Sequence, residues 1–272
     1  MKLFLITAFG LALASTSINR IAHSEELPPI CPPTNTAANL DSVVGDGNMC
    51  RLTPEKYQVQ IYEMGMCTEN PIVSSVFSKV SCIPTLINSF PISADMSPGN
   101  SVNLKSQTKL PRPASGEYSY AYMILAPIFK LQFSYTLGGV TYYSKSTSTS
   151  YSTPNNNVNT IGPSLNFDET LDTFDFDGGF SPTVENFPVK GGTMTALLTD
   201  NDFKAATSTG SVTRLVGSYK PNSKVIISED TVGLEVEFTV TNMGGYAATG
   251  DDDNDTIGAF ESGPFSMSFT TF

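Results

Sequence analysis

The stretch TGDDDNDTIG, Thr249 to Gly258, places four aspartates and one asparagine in five consecutive positions. Alternate carboxylates at Asp251, Asp253 and Asp255 suit a hard cation such as calcium, which needs six to eight oxygens converging from a flexible loop. The EF-hand pattern then fails. Thr256 stands where the turn glycine belongs, and Ser262 where the closing bidentate glutamate belongs. Two readings stay open: an irregular calcium site in a β loop, and an acidic solvated loop between strands. The missing glycine and glutamate favour the second. Two further acidic runs raise the same question, Asp168, Glu169, Asp172, Asp175 and Asp177 in one, Asp200, Asn201 and Asp202 in the other.

Other chemistries are narrowed by what the chain does not contain. Its one histidine, His23, falls in an export signal, so a Ser-His-Asp or Cys-His nucleophile and a histidine zinc site are not expected. Cys31, Cys50, Cys67 and Cys82 form an even set behind that signal without a CxxC pair, which reads as two disulfides and leaves no thiolate. Three pairings are open, and the short spacings favour Cys31–Cys50 with Cys67–Cys82. Carboxylate chemistry survives, and Glu235 and Glu237 share one strand face. A Glu-x-Glu on the polar side of an alternating strand is normally just solvated. Tryptophan, the usual stacking platform for sugars, is absent, although Tyr118, Tyr120 and Tyr122 form a stripe at strand spacing. Such a stripe is more often a packing or subunit-contact face than a ligand platform.

The signal occupies residues 1–24. Lys2 precedes an apolar run, Leu3 to Ala14, and small residues Ala22 and Ser24 mark a cleavage point, with Ala12 and Ala14 as the alternative. Its removal leaves 13 basic against 26 acidic residues, a net charge of about −13. That balance argues against nucleic acid and anionic membrane surfaces as partners. No second run is long enough to span a bilayer as a helix.

Strands must position whatever site exists. Tyr57, Val59 and Ile61 alternate with Gln58 and Gln60, the period of a half-buried strand. Tyr118 to Leu125 is apolar on both faces and reads as a central strand ended by Pro127. Phe129 to Leu137 alternates, and Gly138-Gly139 supplies a two-residue hairpin turn into VTYYSKSTST. Met194 to Thr199, Ser211 to Val216, Lys224 to Ser228, Leu234 to Thr241 and Phe265 to Phe272 are further strands. The fold class is therefore all-β, an antiparallel sandwich or jelly-roll-like architecture with a disulfide-stapled N-terminal region. Beyond the signal, residues 25–112 form the cysteine-containing region and 113–272 an antiparallel β domain. The boundary falls in the proline-rich KLPRPASGE; one continuous sandwich is the alternative.

The run CRLTPEKYQVQIYEMGMCTENP, Cys50 to Pro71, followed by Cys82 and GEYSYAYMILAPIFKLQFSY, resembles uncharacterised secreted β-rich proteins of marine bacteria. The resemblance spans the middle third of the chain and implies secretion and a β-rich fold; it brings no catalytic residues. The expected function is that of a secreted or cell-surface, non-enzymatic structural or adhesive protein, a periplasmic location being the alternative. Self-association or other surface proteins are the expected partners, through strand addition by Phe265 to Phe272 or the N-terminal arm. A calcium- or glycan-binding module is the first alternative, a carboxylate-dependent glycoside hydrolase the second. No cofactor other than calcium is implied.

Overall fold

The computed structural model describes residues 27–33, 49–100, 104, 110, 112–152, 157–175, 179–250 and 253–272. The signal segment 1–24, Asp177 and Asp251 lie outside them. Twenty-one strands, β1 to β21 in chain order, and one 3-10 turn at Thr209–Ser211 form among the described residues. No helix among them is long and apolar enough to cross a membrane. The fold is all-β.

The main sheet is organised by β2 (Lys56–Cys67). Along one side it pairs with β5 (Cys82–Asp95); along the other it meets β8 (Ile128–Gln132) and then β7 (Tyr120–Leu125). Tyr57 lies opposite Leu131 and Met64 opposite Met123, a nearly constant register. The Ala126 amide also donates to Gln60 O at 2.9 Å. So β7 and β8 are one strand interrupted at Ala126–Pro127, where proline has no N–H for the ladder. The Pro127 carbonyl instead accepts from the Leu171 amide at 2.8 Å. There the sheet forks. The β7 arm continues through β16 (Arg214–Pro221), β15 (Gly192–Thr199) and β14 (Thr183–Val189), while the β8 arm continues through β13 (Phe167–Thr170) and β11 (Ser148–Ser150).

The second layer is a mosaic of small sheets. It contains β1 (Met49–Leu52), β19 (Gly245–Gly250) and β20 (Asp253–Ser262), then β9 (Ser134–Leu137), β10 (Val140–Ser144) and β12 (Val158–Asn159). Two pairs complete it, β6 (Gly116–Tyr118) with β17 (Val225–Ile227) and β18 (Leu234–Thr239) with β21 (Ser266–Thr271). Asn157 joins two of these pieces as a strand would. Its amide donates to Phe260 O at 2.6 Å and accepts from Phe260 N at 2.9 Å. On the opposite face of the main sheet, a hairpin of β3 (Ile72–Val73) and β4 (Val76–Phe77) covers Tyr122, Ile124 and Val216.

Local pattern explains much of this. Tyr57, Val59 and Ile61 are fully buried, each stabilising the fold by about 2 kcal/mol. Residues Ala121 to Leu125 are buried on both faces, as the apolar run predicts. At Gly138 and Gly139 φ is +59° and +78°, and Leu137 pairs with Val140 across a two-residue turn. Phe129 to Leu137 is not one strand, however. The chain changes sheet at Phe133, whose amide donates to the buried Ser144 hydroxyl at 3.0 Å instead of to a ladder partner.

The disulfides join Cys31 to Cys50 and Cys67 to Cys82. The second lies across the β2–β5 ladder, where the two cysteines are register partners. Closing a 15-residue separation stabilises by about 3 kcal/mol in the chain-entropy model. The Cys67→Ala/Cys82→Ala variant is accordingly expected to lose about that much by urea denaturation, and a loss below ~1 kcal/mol would show that β2 and β5 hold without the bond.

Candidate functional site

Among the described residues, the carboxylates singled out as cation ligands are not gathered into one centre. Asp253 and Asp255 belong to the backbone of β20, with Gly250 of β19 opposite Asp253. The stretch therefore does not simply join the strand ending near Thr241 to the last one: two strands absent from the sequence reading, β19 and β20, lie between. Asp168 points outward to Lys130 at 3.1 Å. Asp172 accepts from the Ser152 amide at 2.9 Å and its hydroxyl at 2.6 Å. Asp200 closes its own turn, its Oδ1 accepting from the amides of Asp202 at 2.9 Å and Lys204 at 3.0 Å. Among the described residues no group of three or more His, Cys, Asp or Glu is placed to hold a metal ion. Glu235 and Glu237 are exposed on β18. The tyrosine stripe is packing: Tyr118 and Tyr122 are buried, their hydroxyls donating to Ala114 O at 2.8 Å and to the Glu63 carboxylate.

What the fold does build is a cavity of about 110 Å³ between the layers. Its floor is the main sheet, with Met123, Leu125 and Phe129 of β7 and β8 beside Gly217 of β16. Its roof is Ser262 to Phe265, which leads from β20 into β21, together with Met267. Phe174, Val184 and Phe187, all partly exposed, form a rim on the β14 side. Gly217 is the residue that leaves the space. It pairs with Met123 on one side and Ala196 on the other, and a Cβ at this position would meet nothing within 4 Å. A glycine inside a strand normally weakens it and is retained where something else approaches.

Hydroxyl groups on the walls are already engaged. Tyr57 donates to Gly263 O at 2.8 Å and Tyr219 to Lys190 O at 3.3 Å. Ser262 donates both its amide, at 3.0 Å, and its hydroxyl to Oε1 of Glu169. Glu169 sits on β13, inward like Phe167, and is buried. Burial pushes its carboxyl up to about 8; the Ser262 bonds oppose this, and the charges of Glu261 and Asp172 reinforce it. Burial also pushes Glu261, only partly exposed on β20, up to about 7. Near neutral pH the Glu169 carboxyl therefore keeps its proton.

Sequence reasoning placed Glu169 in a cation cluster and passed over Gly217. Parity was the available signal for the first, since Phe167, Glu169 and Leu171 alternate with Asp168 and Thr170. For the second it was a glycine inside the strand-like run LVGSY. No family model matches the chain, and neither a curated protein nor a solved structure matches it.

Proposed function

We propose that this chain is an exported, non-enzymatic β-sandwich module that works by binding, and that its interlayer cavity takes a small neutral apolar molecule. The observation that carries this reading is the open space above Gly217, walled by apolar side chains. A dry apolar cavity of similar size holds benzene in other proteins. A neutral ligand fits better than an anion, because Glu169 and Glu261 flank the roof and the wall hydroxyls have protein partners. The paired cysteines agree with export.

Ligand binding is placed ahead of assembly by strand exchange for two reasons. Phe265 to Phe272 pairs with β18, and Ile30 in the N-terminal arm bridges to Arg51, so both candidate donor segments are used within the chain. Two of the main-sheet edges are also blunted, β5 by Pro84 and Pro91, β14 by Pro188 and a bulge between Val184 and Phe187.

The test is a toluene titration followed by melting temperature and proton NMR. Saturating toluene, at a hundred times Kd, is expected to stabilise the native chain by about 2.7 kcal/mol. Gly217→Leu fills the space, raises stability by about 1 kcal/mol without ligand, and abolishes the toluene response. A native chain that shows no shift with toluene contradicts the reading.

A further inference from the structure

Floor and roof of the cavity are fastened by backbone. The ladders joining β7, β16 and β15 run without a register shift beneath it. The roof is held by Gly263 N to Gly244 O at 3.0 Å, by the Tyr57 hydroxyl to Gly263 O at 2.8 Å, and by the pairing of Ser262 with Gly245. The β14 edge is built differently. Val184 lies opposite Ala196 but Phe187 opposite Met194, so β14 carries one residue more than β15 between them. Continuing the Val184 register would have set Asn186 against Met194. The bulge instead leaves Asn186 exposed, at φ +53°, and brings Phe187 onto the cavity face. The Asn186 amide leaves the ladder for the Thr195 hydroxyl at 3.2 Å, and Pro188 has no N–H to give.

We propose that this edge is the mouth of the cavity and that the guest is a neutral single-tailed amphiphile, its apolar tail over Gly217 and its hydrated head outside, between Phe174 and Phe187. Such a guest presupposes the binding function proposed above and gives its ligand a class. The apolar wall does not stop inside the protein. It runs from buried Met123 and Leu125 out to Phe174, Val184 and Phe187, which are partly exposed. A polar end finds no free partner within, since the hydroxyls of Tyr57, Tyr219 and Ser262 are engaged, and leaving it there unpaired is costly. It must therefore stay in water, at the rim. Glu185 on the bulge, Asp175 beside Phe174 and a net charge of −11 disfavour an anionic head. Tail length follows from the sheet. From β14 to Gly217 on β16 is two strand spacings, about 10 Å, a distance that an octyl chain covers.

Alkyl glucosides, kept monomeric below their micelle concentrations, are titrated beside toluene and followed by proton NMR. Affinity is expected to rise about fourfold per methylene from butyl to octyl and to level off once the tail outgrows the cavity. In the octyl glucoside complex, nuclear Overhauser contacts are expected from the tail methyl to Met123 and from the sugar to the rings of Phe187 and Phe174. Phe187→Trp narrows the mouth and is expected to weaken octyl glucoside about tenfold while leaving toluene affinity unchanged. The contacts are read on the native chain, so they decide the matter even where the variant does not fold. Toluene binding with no glucoside binding at any length overturns the amphiphile and leaves the apolar cavity standing. Sugar contacts to Met267 in the roof instead of Phe187, or glucoside binding that Phe187→Trp leaves unaltered, overturns the mouth. Binding of neither toluene nor glucoside removes this inference together with the binding function.

Discussion

Native stability is expected to fall by roughly 5 kcal/mol between pH 5 and pH 8, and Glu169→Gln to abolish most of that fall. The sign follows from proton binding. Unfolded, Glu169 ionises near its ordinary 4.5; folded, it does so at about 8. Between those values the folded chain holds a proton the unfolded chain has released, so the stabilisation is complete below about pH 4.5 and lost as pH rises through 8. The slope for one group is about −1.4 kcal/mol per pH unit. Glu261, at about 7, adds a second contribution that ends sooner. Asp95 works the other way. Burial raises its carboxyl, but the Ser97 hydroxyl and amide, with Asn100 and Lys56, outweigh this and hold it below the usual value. Its share of stability is present above its unfolded value and lost as pH falls through the folded one. Urea denaturation at unit pH intervals measures the whole curve. A native curve that is flat from pH 5 to 8, or one that Glu169→Gln leaves unaltered, would contradict this assignment.

Gly245→Ala is expected to destabilise by about 3 kcal/mol, at the upper end for overpacking. A Cβ at Gly245 would coincide with the edge of the Phe133 ring, touching Cε1 and Cζ. That ring is fully buried, stacked on Phe260 at 5.2 Å and packed against Phe167 at 6.1 Å. It also marks the point where the chain crosses from β8 to β9, so it cannot shift without moving both layers. Phe133→Leu in the same background removes the overlap, and the double variant should be less unstable than the sum of the two single changes. A loss below ~0.5 kcal/mol for Gly245→Ala, typical of an exposed site, would mean that the layers do not meet there.

Features written in local pattern were legible. The β2 alternation and the Gly138-Gly139 hairpin needed only neighbours in sequence, and both lie where the pattern put them. The pair β19 and β20 was missed because GYAATG and the aspartate run carry little of the β-branched alternation that marks a strand. Gly245 is imposed by Phe133, which lies between β8 and β9 and far from it in sequence. The change of sheet at Phe133 was hidden for a different reason, because alternation continues through it while a distant serine, Ser144, takes over its amide. The cavity was illegible as a cavity. Gly217 reads only as a weak strand residue until Ala196, Met123 and the roof from Ser262 to Phe265 are placed around it.

We propose that the space over Gly217 accepts an apolar guest. Xenon-pressurised crystals of the native chain and of Gly217→Leu address it most directly, since xenon occupies dry apolar cavities without any polar contact. A xenon peak is expected between Gly217 and the Ser262 to Phe265 roof in the native chain, and none in the variant. A native crystal that takes up no xenon there, or a Gly217→Leu crystal that takes up as much, would contradict it.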